Sequence, residues 1–122
     1  VAALSRVPAR LACTVVGRTP LEAGVRALSA LPGLPFRLPA PGQLTAVDDA
    51  EVTTRVDVSA QRAARVAALR AHATQVEVWT AEGAVAWALS NGVAHPLLDT
   101  EEYTVPDEPA GPVDDLFAGL AA

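Results

Sequence analysis

Two histidines, one cysteine and the acid pairs Asp48-Asp49, Glu101-Glu102 and Asp114-Asp115 are the residues of this chain best equipped for chemistry. His72 and His95 are the only imidazoles, and they fall on different segments. Neither belongs to a His-x-x-x-His or His-Glu-x-x-His spacing, which puts two metal-directed nitrogens on one helical face. A catalytic zinc takes three protein ligands and keeps one position open. His72, His95 and the Asp48-Asp49 pair can meet that count only through the tertiary fold. Cys13 is the single cysteine. It allows neither an internal disulfide nor a multi-cysteine zinc site, and mid-strand it is expected to be a small buried apolar residue. Glu101-Glu102 and Asp114-Asp115 read as solvated pairs. A two-carboxylate mechanism needs one acid desolvated so that its pKa rises. The glycines are scattered, with no P-loop and no dinucleotide fingerprint. Trp79 and Trp87 are expected to pack across a hairpin, or else to form an apolar wall for a sugar or another ligand.

The chain of 122 residues has room for one small domain. It holds 26 alanines, nine arginines and no lysine or methionine. Aromatic residues make up only 4%, so Ala, Val and Leu must build the core. The charge is lopsided: residues 1–47 carry a net +4 and residues 48–122 a net −9. An overall −5 with dispersed arginines argues against nucleic acid as a partner. No apolar run reaches the roughly 18 residues of a membrane span. No signal-peptide pattern is visible. The expectation is a cytoplasmic, globular chain.

The elements that must position these residues follow from periodicity. Arg10–Val16 reads as a strand apolar on both faces, hence covered on both sides. A helix follows, with Thr19 as its cap, Pro20 at its first position and Leu21, Val25, Leu28 and Leu31 on one face. Pro32 and Gly33 stop it. Residues 32–43, with four prolines, form an extended loop, and Phe36 and Leu38 suggest that it wraps a surface. Glu51–Val58 alternates as a strand. Ser59 caps a helix over residues 60–74, whose stripe is Ala63, Val66, Ala67, Leu69 and Ala73 and whose Arg62, Arg65 and Arg70 stay outside. Val76 to Leu89 reads as a hairpin, with a short helix over Ala84–Leu89 as the alternative, Asn91-Gly92 as a turn, and Tyr103–Val105 as a last short strand. Residues 1–105 are taken as the domain portion. Residues 106–122 are taken as a Pro/Gly-rich connection ending in a short helix over Val113–Leu120. The class is α/β, with part of a sheet rather than a whole one.

Four stretches carry a resemblance. They are Val66-Ala67-Ala68-Leu69-Arg70-Ala71-His72-Ala73-Thr74-Gln75-Val76, Ala88-Leu89-Ser90-Asn91-Gly92-Val93-Ala94, Asp99-Thr100-Glu101-Glu102-Tyr103 and Asp115-Leu116-Phe117-Ala118-Gly119-Leu120. In this order they resemble the C-terminal part of the LmbE-like zinc-dependent amide hydrolases. The branch is the one that deacetylates N-acetylglucosaminyl-inositol in actinobacterial mycothiol biosynthesis. The likeness runs from about Val7 to the end. It implies the last part of a Rossmann-like αβα fold, incomplete alone, and a small amino-sugar inositol as substrate of the whole enzyme.

It also implies zinc, held in the family by a His-Pro-Asp-Asp motif and a later histidine. That motif is absent here, because His95-Pro96 runs on into Leu97-Leu98. No metal ligand and no catalytic base is therefore carried over to this chain, and the segment is expected to bind no zinc and to be inactive alone. His72 and Asn91, polar residues inside the matching stretches, are the candidate substrate-binding residues at the rim of the sugar pocket. A segment of the related mycothiol S-conjugate amidase and a non-catalytic interaction module are the alternative readings. The resemblance leaves the oligomeric state open.

Overall fold

A computed structural model describes residues 11–106 and Asp114. In chain order the elements are β1 (Cys13–Val15), α1 (Arg18–Ser29), β2 (Thr54–Asp57), α2 (Arg62–Ala71), β3 (Glu77–Ala81), β4 (Ala84–Ala88), β5 (His95–Pro96) and β6 (Thr100–Thr104). Single 3-10 turns, Asp49–Glu51 and Ser59–Gln61, precede β2 and α2. The strands make two three-stranded antiparallel sheets, ordered β1-β6-β2 and β3-β4-β5. The class is thus mixed α/β. Parallel pairing among the described residues is limited to the bridges Gly17–Val47 and Arg37–Val93. The expected helix over Val113–Leu120, and most of the expected 106–122 connection, lie outside the described residues. No described helix is long and apolar enough to cross a membrane.

The strand expected to be covered on both sides is shorter and more open. β1 lies at a sheet edge, Leu11 and Val16 are exposed, and so is Cys13. Its apolar residues follow from composition rather than from double coverage, so the expectation of a buried Cys13 fails. The last short strand, by contrast, is the centre of its sheet. β6 pairs Cys13–Val15 on one side and Thr54–Asp57 on the other.

Helix α1 starts earlier than the Thr19-Pro20 pair suggests. Gly17, in extended backbone, is the N-cap, which puts Thr19 inside the first turn. Glycine has no side chain to accept the first amide protons, so carboxylates from other segments do so. Asp49 Oδ1 accepts the Thr19 N–H at 3.1 Å, and Glu102 Oε1 accepts the Gly17 N–H at 2.9 Å. Negative charge at that end also matches the helix dipole. These bonds hold the Asp49 carboxyl below its ordinary pKa, with the Thr19 hydroxyl and then the Thr19 amide as the leading causes.

The core is small. Leu28, Phe36, Ala86, Ala88 and Ala94 are its buried centre, with Leu31, Leu34 and Trp79 packed against it. The Pro-rich loop does wrap the surface, and Arg37 explains how. Its N–H donates to the Gly92 carbonyl at 2.8 Å, its carbonyl accepts from Ala94 N at 2.8 Å, and its guanidinium donates to the Asn91 carbonyl at 2.9 Å. Phe36 is thereby seated in the core, while Leu38 points out.

The hairpin forms as expected, with the two-residue turn Glu82-Gly83 between β3 and β4. Both residues have positive φ, 51° and 81°, the sign that a type I′ turn needs to match the strand twist. The register sets Trp87 opposite Val78 and Trp79 opposite Ala86. The tryptophans therefore lie on opposite faces and do not pack on each other.

Candidate functional site

A cavity of about 470 Å³ lies where α2 meets both sheets. Val15 and Val16 of the β1 edge close one side, and Arg65, Ala68, Leu69 and His72 of α2 close another. Trp87 of β4 and the run Pro96–Leu98 supply further apolar wall, and Thr100, Glu101 and Glu102 of β6 supply polar wall. The size falls within the usual range for small-molecule pockets, as does the mixture of apolar wall and few polar groups.

Helix α2 is held over this cavity by two arginines. Sequence periodicity places Arg62 and Arg65 outside, but both turn inward. Arg62 pairs with Asp99 at 2.5 Å and donates to the Gly83 carbonyl at 2.8 Å. Arg65 donates to the Leu98 carbonyl at 2.6 Å and stands 3.8 Å from Glu101. Long arginine stems lie along apolar surface and carry their charge to a partner at its margin. With so few large side chains, the helix is fastened by polar bonds, and none of its residues is fully buried.

The helix ends at His72, whose N–H donates to the Leu69 carbonyl at 3.1 Å. His72 is exposed and lines the cavity. Asn91 does not. It sits in the turn after β4, where its Oδ1 accepts the Val93 N–H at 3.1 Å and fixes that turn. Gly92 follows at φ 71°. The two residues singled out from the sequence are therefore not brought together at this cavity.

Trp87 and Glu102 do line the cavity, and His95 stands against Trp87 without lining the cavity itself. His95 and Trp87 are directly opposite in the β4–β5 pair. Their rings stack with centroids 4.0 Å apart and planes 11° from parallel. Burial lowers the His95 pKa, because the charged imidazole loses water there. Glu102, expected to be solvated, has a side chain only 2% exposed. Its Oε2 takes two guanidinium bonds from Arg55, at 2.8 and 2.9 Å, while Oε1 caps α1. The alternation of β6 turns Glu102 to the side opposite Glu101, and an arginine on the neighbouring strand compensates the charge. Glu101 is the more open acid, and its Oε2 accepts the Tyr103 hydroxyl at 2.7 Å. That bond raises the Tyr103 pKa, because losing the phenol proton would set two anions side by side.

Among the described residues, no group of three or more His, Cys, Asp or Glu side chains is placed to hold a metal ion. His95 faces an indole, and Glu102 is engaged by Arg55 and Gly17.

Comparison with known proteins decides the relationship. A protein of Actinosynnema mirum is 52% identical over 120 residues, covering 97% of this chain and 42% of that protein. One from Saccharopolyspora erythraea is 41% identical over 127 residues, covering 98% of this chain and 42% of its own length. One from Saccharomonospora viridis is 45% identical over 112 residues, covering 91% of this chain and 40% of its own. All three bear the name 1D-myo-inositol 2-acetamido-2-deoxy-alpha-D-glucopyranoside deacetylase. This chain is a homologue of a C-terminal segment of these deacetylases. It spans about two fifths of the length of these curated relatives. No family model matches it.

Proposed function

We propose that this chain serves as the C-terminal segment of a deacetylase for 1D-myo-inositol 2-acetamido-2-deoxy-α-D-glucopyranoside, in the mycothiol pathway of an actinobacterium. The observation that carries the reading is 52% identity across 97% of the chain to a protein of that name. In the whole enzyme the segment completes a Rossmann-like αβα fold and forms one wall of the sugar pocket. The cavity beneath α2 is that wall. His72 is its rim residue, exposed at a helix end beside the apolar lining. Asn91 is the second rim candidate, acting through the turn that it shapes.

The zinc that the resemblance implies finds no fitting donor set among the described residues, and no step of the reaction is assigned through it. The contribution of this segment is to bind and orient. Positioning alone accounts for several kcal/mol of a typical enzymatic barrier.

The test is acetate release from the N-acetylglucosaminyl-inositol substrate by the complete protein carrying this segment, with mycothiol S-conjugates as the competing substrates. Acetate release with matching amine product supports the deacetylase. Preferential cleavage of S-conjugates moves the reading to the amidase. Absence of both, from a folded protein, leaves the interaction module. Alanine at His72 or Asn91 is expected to raise KM with kcat little changed, and unchanged kinetics removes that residue from the rim.

A further inference from the structure

We propose that Trp87 is the ring-stacking platform of the cavity beneath α2 and that His95 is the positioning residue holding its indole in place. The proposal rests on the deacetylase reading and names how this segment meets the substrate. The ligand class is a six-membered polyhydroxylated ring, pyranose or cyclitol. Both occur in the substrate named for the relatives.

Three observations converge. Trp87 lines a cavity of about 470 Å³, large enough for such a ring. His95 stacks on it at 4.0 Å and 11°, from the directly opposite position of the adjacent strand. Trp79, in contrast, belongs to the core on the other face of the sheet. An indole carries a large apolar area together with an electron-rich face, and the C–H face of a sugar ring suits it. A tryptophan fixed by a flat neighbour has less freedom to lose on binding, which is how preorganisation raises affinity.

The polar edge of the cavity suits hydroxyl groups. Glu101 spends one carboxylate oxygen on the Tyr103 hydroxyl and retains acceptor capacity. Arg65 commits one guanidinium nitrogen to the Leu98 carbonyl, out of five N–H donors. Both side chains line the same cavity as Trp87. An apolar floor with a carboxylate and a guanidinium beside it matches a ring whose faces are C–H and whose edge is O–H.

The experiment titrates the complete protein carrying this segment with methyl 2-acetamido-2-deoxy-α-D-glucopyranoside and, separately, with myo-inositol. Saturation-transfer NMR reads binding to the unaltered protein. The difference in tryptophan emission between the parent and Trp87→Leu reads the part that Trp87 reports. A saturable response to at least one probe is expected, and the responding probe identifies the ring seated there. Trp87→Leu is expected to weaken binding about tenfold, the effect of losing one aromatic contact. His95→Phe, which can still stack, should bind like the parent, while His95→Ala should lose several-fold. No saturable response by either method, or a Kd unchanged in Trp87→Leu, overturns the platform. Parent-like binding by His95→Ala overturns the positioning role.

The two readings fail separately. Acetate release by the complete protein with KM unchanged in Trp87→Leu leaves the deacetylase standing and removes the platform. Trp87-dependent probe binding without acetate release does the reverse.

Discussion

Gly24 stands in the middle of α1, where glycine is a poor helix former. Replacing it with alanine in an open helix gains about 1 kcal/mol. Here the sign should reverse. A Cβ at position 24 would lie 2.8 Å from Leu98 Cδ2 and 2.9 Å from both Cβ and Cγ of Pro96. Carbon atoms in good contact sit about 3.5–4.0 Å apart. The leucine methyl can turn aside. The proline ring cannot, because Pro96 lies in β5 opposite Ala86, which is wholly buried. The helix or the strand must therefore move by roughly half an ångström, and overpacking of this kind costs about 1–3 kcal/mol. Set against the propensity gain, the expected net effect of Gly24→Ala is a loss of up to about 2 kcal/mol. Urea unfolding followed by circular dichroism reads it as a lower midpoint at constant slope. Pairing it with Pro96→Gly, which removes both ring contacts, should recover most of the clash as a positive coupling in a double-mutant cycle. A Gly24→Ala chain more stable than its parent would refute the close approach of α1 to β5. It would also refute the placement of Pro96 in the cavity wall.

Other perturbations address the same framework. Gly17 has ordinary extended backbone, yet a Cβ there would lie 3.0 Å from Asp49 Oδ1 and 3.1 and 3.2 Å from the Glu102 carboxylate oxygens. Gly17→Ala should thus cost about 1–2 kcal/mol in chemical denaturation, the usual value of a lost helix cap, although no φ strain is involved. Glu102→Ala leaves Arg55 without its buried partner and Gly17 without its acceptor. Loss of a fully buried pair costs about 3–5 kcal/mol, and the partial exposure of Arg55, 36% of its side chain, brings the expected loss nearer 2. Glu102→Gln should fall between the parent and alanine, and equal stability of all three would show that the carboxylate carries no load. Asp49 and Asp57 both titrate below their ordinary range, through bonds from Thr19 and Ser59 respectively. Their contribution should be complete above pH of about 4 and fade as the pH falls through the lowered values. Asp49→Asn should flatten that acid limb, and an unchanged limb would assign it to other groups.

How much of this was legible in the sequence depends on which force decides each element. The hairpin and the Asn91-Gly92 turn are set by local pattern and turn chemistry and appear as read, while the strand expected over Glu51–Val58 forms only as the shorter Thr54–Asp57, after a 3-10 turn at Asp49–Glu51. Phe36 was legible for the same kind of reason, since an aromatic residue in a proline-rich stretch needs cover. Misreadings cluster where a distant partner decides. Nothing near Gly17 in sequence says that carboxylates from positions 49 and 102 will cap α1. A local capping rule therefore passes over Gly17 for Thr19. Arg62 and Arg65 look solvated on a helical wheel, and only the path of residues 98–101 beneath α2 turns them inward. Cys13 looks buried because its neighbours are apolar. Edge position, which local pattern does not encode, leaves it open.

The candidate site shows the same division. His72 could be placed at a helix end and inside a family-like stretch, and it does line the cavity. Sequence reading pairs Trp87 with Trp79, as packing or as an apolar wall, and gives no reason to pair it with His95. Their joint meaning depends on strand register. Trp87 opposite His95 follows only once β5 is recognised as a strand, and the proline at its second position argues against that locally. A proline is tolerated on an edge strand because its missing N–H can face away from the ladder. Pro96 does occupy an edge, since β5 is the last strand of its sheet. The same proline that hides β5 from sequence reading stiffens it against α1 at Gly24. His95 is therefore presented to Trp87 from a backbone with little freedom. Replacing Pro96 with alanine should loosen that presentation before it unfolds the sheet. In near-ultraviolet circular dichroism the tryptophan signal should weaken while the far-ultraviolet signal holds. Simultaneous loss of both would mean instead that β5 is part of the cooperative core and has no separate role in holding the stacked pair.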